Sequence, residues 1–71
     1  MYKRGDKVKV SFDLADRCPF LKHAPVTCSG VVQEDQHTPY VKVYVDAEYN
    51  GTRYLGPVVV PQEGVTRRDA S

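Results

Sequence analysis

Residues 40–55 read Tyr-Val-Lys-Val-Tyr-Val-Asp-Ala-Glu-Tyr-Asn-Gly-Thr-Arg-Tyr-Leu. The first six alternate. Val41, Val43 and Val45 fall on one face of an extended strand, and Tyr40, Lys42 and Tyr44 on the other. Asn50-Gly51 follows. A two-residue hairpin turn of type I′ needs positive φ at both central positions, which Asn and Gly tolerate. Residues 47–49 and 52–55 are therefore expected to pair antiparallel.

Other segments carry the same period. Residues 7–12, Lys-Val-Lys-Val-Ser-Phe, alternate behind a Gly5-Asp6 turn signal, which turns Val8, Val10 and Phe12 inward. Residues 26–33 predict another strand, with Gly30 marking a bulge or a close backbone approach. Val58, Val59 and Val60 form a short, exposed β-branched strand. Residues 61–64, Pro-Gln-Glu-Gly, break the ladder, and residues 65–67 form a last short strand. Residues 68–71 are expected to fray. No segment holds apolar residues at helical spacing over three turns. The one long irregular stretch, residues 13–25, carries Pro19 and Pro25, which oppose a helix across it.

The chain has 71 residues, enough for one domain, expected over 1–71 with its ordered core at 4–67. A domain this small buries only about 60% of its unfolded surface. Apolar residues make up 41%, and ten basic residues against nine acidic ones leave a net charge of +1. That is too little net charge for a disordered chain, and any attraction for nucleic acid must come from a local patch. No apolar run approaches a membrane span. The start, Met1-Tyr2-Lys3-Arg4-Gly5-Asp6, lacks the apolar stretch of a signal peptide. A cytoplasmic location with free Cys18 and Cys28 thiols is the expectation, since a Cys18–Cys28 disulfide needs an oxidising compartment.

Five strands with a long loop after the first, an Asn-Gly hairpin and a one-turn break before the last predict an all-β fold, a small five-stranded barrel. In that order the chain resembles the SH3-like barrel superfamily. Residues 4–10, Arg-Gly-Asp-Lys-Val-Lys-Val, are similar to the first strand of KOW-type barrels. Residues 60–65, Val-Pro-Gln-Glu-Gly-Val, resemble the Pro, short turn, Val ending of SH3 domains. The resemblance implies a binding module. It does not extend to proline-rich peptide recognition: the chain has no Trp, and Gly64 stands where those domains place a ligand-contacting aromatic.

Several residues carry candidate chemistry. Cys18, His23, Cys28 and His37 are zinc-ligand types, but structural zinc sites usually open with a closely spaced Cys pair, and this spacing has none. Cys18 and His23 are a candidate nucleophile and base that lack a third, orienting group, and a barrel this small leaves little room for a substrate cleft. Asp13 and Asp16 share one loop, where carboxylates are mostly solvated. No catalytic residue, metal, cofactor, small-molecule substrate or membrane contact is therefore expected.

Two surfaces remain. Tyr40, Lys42, Tyr44, Tyr49, Arg53 and Tyr54 interleave aromatic and basic groups around the hairpin, which suits a protein interface; cross-strand aromatic pairing is the plainer alternative. Lys3, Arg4, Lys7, Lys9, Arg67 and Arg68 converge if the first and last strands are neighbours. They then form a basic patch for phosphates, or an ordinary solvated edge. The leading expectation is a non-catalytic binding module for a protein partner or a second copy. A KOW-like nucleic-acid accessory protein is the alternative. A standalone barrel of this size fits a bacterial or phage accessory protein.

Overall fold

Asn50 and Gly51 adopt φ of 48° and 85°. The hairpin is thus closed by two residues that tolerate the left-handed region. In this computed structural model, which describes residues 1–68, the turn joins β3 (Tyr40–Tyr49) to β4 (Thr52–Pro61). Their register runs unbroken from Tyr49–Thr52 to Tyr40–Pro61. Before them come β1 (Lys7–Asp13), a 3₁₀ turn (Leu14–Asp16) and β2 (Pro25–Val32). After them come a second 3₁₀ turn (Gln62–Gly64) and β5 (Val65–Arg67).

The strands form one antiparallel sheet in the order β4-β3-β2-β1-β5. The outermost strands, β4 and β5, do not pair, so the sheet does not close on itself. β1 lies between β2 and β5, as the basic-patch expectation requires.

Alternation places the core on one face. Val8, Val10, Val32, Val41, Val43, Val45, Val58, Val60 and Val65 are buried there, with Leu14, Ala24 and Ala47. Each buried valine contributes on the order of 1.5–3 kcal/mol. Leu14 seals one end of the core from the first 3₁₀ turn. The Asp13 carboxylate caps that turn by accepting from the Ala15 amide at 2.9 Å, and it also accepts from the Ala24 amide at 2.9 Å. Both ends of the 14–24 loop are thereby fastened to one side chain.

Two details correct the expectations. Val58 and Val60 are buried and only Val59 is exposed, because β4 runs straight through Gly56 and Pro57 in register with β3. The second strand starts at Pro25 and ends at Val32, one residue earlier at each end than expected. The N-terminus is tied down ahead of residue 4. The Tyr2 amide donates to Gln36 Oε1, the Gln36 amide donates to the Tyr2 carbonyl, and the Tyr2 hydroxyl donates to the Val65 carbonyl. Arg68 extends the last ladder by donating its amide to the Lys7 carbonyl at 3.0 Å. The rest of the expected frayed tail, residues 69–71, lies outside the described residues.

Gly30 makes the close backbone approach that the sequence suggests. A Cβ there would lie 2.5 Å from Val43 Cγ1 and 2.8 Å from the Tyr44 carbonyl oxygen. β2 and β3 pair only at Gly30–Val45, Val31–Tyr44 and Val32–Val43. Beyond Gly30 the two strands part.

Candidate functional site: the outer face of the sheet

Residues opposite one another in antiparallel register share a face. The register therefore lays out the surface behind the core. Lys7, Val31, Tyr44 and Pro57 form one row across β1 to β4. Thr66, Lys9 and Ser29 form the next row on β5, β1 and β2, and Asp46 and Leu55 face each other on β3 and β4. Lys42 lies opposite Val59, and Tyr40 opposite Pro61.

The exposed large apolar side chains of the sheet gather here. Leu55 is 57% exposed, Val59 56%, Tyr40 54%, Tyr44 41% and Val31 39%. Lys7, Lys9 and Lys42 stand beside them, all exposed. The carboxylates on this face of the described strands are Asp13, Asp46 and Glu48. Asp13 is committed to the loop. Asp46 accepts from Arg53 Nε and Nη2 at 2.8 and 2.6 Å, a bidentate pair with defined geometry. That pair holds the Asp46 carboxyl below its ordinary value and pushes the Arg53 guanidinium up.

Where β2 and β3 part, a groove of about 210 Å³ opens. Val31, Tyr44 and Leu55 line it with Ser29, and Asp46 and Arg68 contribute opposite charges. Gly30 and Val45 belong to the core face and reach the groove through backbone. A second cleft of about 180 Å³ lies between the 33–39 loop and Tyr40, Lys42 and Val59.

The tyrosines do not form one surface. Tyr40, Lys42, Tyr44 and Arg53 share the outer face. Tyr49 and Tyr54 lie on the core face, half-buried against the core cluster. The basic set also divides. Lys7 and Lys9 stay on the outer face, with Arg68 at the groove. Arg67 lies opposite Val8, so it points to the core side, where it bonds Asp6 at 2.8 Å and stacks 4.8 Å from the centre of the Tyr2 ring. Its expected place beside Lys7 and Lys9 is thus corrected by strand parity. The backbone of Lys3 and Arg4 is tied to Asp6 and Asp35, and both residues are exposed at the N-terminal edge.

Of the candidate chemical residues, Cys18 is buried. His23 bonds Asp13 at 2.8 Å, so the loop pairs Asp13 with His23. Burial pushes the Cys28 thiol up, and the Asp46 charge adds to that, which disfavours a thiolate. Among the described residues no three His, Cys, Asp or Glu side chains gather as a metal-binding group, His37 included. No helix among them is long and apolar enough to cross a membrane.

Val31, Leu55 and Pro57 escaped the sequence reading of the site, whereas Val59 belonged to the exposed strand it expected. The signal was available: carrying the Asn50-Gly51 register past Pro57 puts residues 53, 55, 57, 59 and 61 on the face of Tyr40 and Tyr44.

Comparison with known protein families, curated proteins and solved structures finds no match to this chain.

Proposed function

We propose that the chain is a non-catalytic binding module of SH3-like architecture that docks a protein partner on the outer face of β2, β3 and β4. The architecture is supported by the β2-β3-β4 meander, β1 lying between β2 and β5, and the 3₁₀ turn before β5.

One observation carries the functional reading: the fully buried core is built mainly of valine and alanine, while Tyr40, Tyr44 and Leu55 stand exposed on the outer face. Among the described residues, Leu14 is the one larger than valine that is fully buried. Leu55, Tyr40 and Tyr44 stand on the outer face, where a partner can use them and the core cannot. Large apolar groups stabilise a thin core more per residue than valine does, so their placement outside favours a second role. Aromatic and aliphatic anchors ringed by polar groups are the usual composition of an interface core.

Affinity capture from nuclease-treated lysate of the source organism tests the reading. The wild type is expected to retain a defined protein that Tyr44→Ser/Leu55→Ser loses while keeping its fold. Equal retention by both would refute it.

A second reading, a single-stranded nucleic-acid platform, is favoured by Lys7, Lys9 and Lys42 sharing the face of Tyr40 and Tyr44. It predicts a salt-dependent mobility shift with RNA or DNA that disappears in Lys7→Gln/Lys9→Gln.

A further inference from the structure

We propose that the groove between β2 and β3 seats one apolar side chain of an extended, acidic segment of the partner. The inference deepens the protein-docking reading and rests on it.

The groove arises from the register. Pairing stops at Gly30–Val45, and the neighbouring Ser29 is too small to fill the gap left as the strands part. Its volume of about 210 Å³ is several times the ~30 Å³ share of one water. It falls below the roughly 300–1,000 Å³ of small-molecule sites. That size suits a single side chain, and walls of Val31, Tyr44 and Leu55 suit an apolar one.

The charge follows from the row assignments. Lys7 is opposite Val31, and Lys9 is opposite Ser29, one strand spacing of about 5 Å from the groove. The outer-face residues at 7, 9, 11, 27, 29 and 31 include no carboxylate. The Asp46 charge is already met by Arg53. The strip beside the groove therefore calls for carboxylates within one or two residues of the anchor. A second copy of this chain presents the same two lysines. A nucleic acid finds one stacking plane here, Tyr44, and gains none from the aliphatic walls Val31 and Leu55. An acidic peptide with an apolar anchor satisfies both halves of the surface.

The test is an amide-resolved NMR titration of the full chain. The probe is a capped pentapeptide with leucine at its centre and glutamate elsewhere. Controls replace glutamate by glutamine or lysine, or leucine by serine; an oligo-dT forms a separate arm. The acidic leucine peptide is expected to shift Ser29, Val31, Tyr44, Leu55, Lys7 and Lys9. Affinity is expected to fall about five- to tenfold with glutamine or in Lys7→Gln/Lys9→Gln, and to vanish with lysine. The serine control is expected to lose the groove shifts. No saturable shift with the acidic peptide, equal binding of the glutamine peptide, or oligo-dT alone shifting these amides would overturn the proposal. If it fails while lysate capture still depends on Tyr44 and Leu55, the docking face stands and the acidic occupant falls.

Discussion

The hydroxyl of Tyr54 donates to the carbonyl of Pro57, three residues along the same strand, at 2.7 Å. β4 is an edge of the sheet. A two-residue hairpin closed at Tyr49–Thr52 puts residues 53, 55, 57, 59 and 61 at positions whose backbone groups point away from β3. Pro57 and Pro61 fall on that set, so neither costs a ladder bond and each removes a donor from the open edge. Tyr54 then occupies the outward carbonyl of Pro57. Gly56 makes room for this, since a Cβ there would lie 2.9 Å from the Tyr54 hydroxyl. The edge is thereby blocked midway against strand addition.

The double variant Pro57→Ala/Tyr54→Phe restores a donor and frees the carbonyl at the middle of that edge. Concentration-dependent self-association by sedimentation velocity is the expected result, with the wild type unchanged over the same range. No difference between the two would show that the edge is protected by other means.

Gly30→Ala brings a methyl against Val43 and the Tyr44 carbonyl, and backbone cannot move aside cheaply. A loss of about 2 kcal/mol or more is expected by urea denaturation. Gly51→Ala meets no atoms within 4 Å but keeps a φ of 85°. It is expected to cost about 1 kcal/mol through backbone strain alone.

Gln36 is the buried polar side chain of the core region, 7% exposed, and its amide bonds Thr38 O at 2.8 Å and Gln62 Oε1 at 2.7 Å. Its oxygen accepts from the Tyr2 amide. Gln36→Leu strands these partners, and about 1–3 kcal/mol is expected to be lost. Amide exchange at Tyr2 should accelerate more than exchange at Val43.

Acid stability follows from three carboxylates. Asp6 is lowered by the Lys3 amide and then by Arg67, Asp13 by the Ala24 and Ala15 amides, and Asp46 by Arg53. A depressed folded pKa gives stability that is full above the ordinary value of 3.8 and is lost as pH falls through the folded value. The melting temperature should be flat from about pH 5 to 7 and fall below about pH 4. Asp13→Asn, which keeps an acceptor but no charge, should flatten that fall; Asp13→Ala should speed exchange of the Ala24 amide at every pH.

Local chemistry explains how much of this was legible. The alternation around Val8 and Val41, the turn at Asn50-Gly51 and the break at Pro61 gave the five strands and their inner face, because each is a short-range signal. Reading residues 58–60 as a short strand apart from 52–55 missed that β4 is continuous, since a proline inside a strand is tolerated only at an edge and which strand is the edge depends on the whole sheet. The tyrosines and Arg67 misled for the same reason: alternation assigns parity within a strand, but Tyr54 and Arg67 change meaning only when their partners, Ala47 and Val8, are known. The groove was invisible because it exists where β2 and β3 stop pairing.

The most direct test of the docking face is site-specific photo-cross-linking in cells of the source organism. A photoreactive residue replaces Leu55 on the outer face in one variant and Phe20, 74% exposed in the 14–24 loop, in another. A discrete protein adduct from position 55 that position 20 does not form is the predicted result. Equal adducts from both positions, or adducts from position 55 that nuclease removes, would contradict the account.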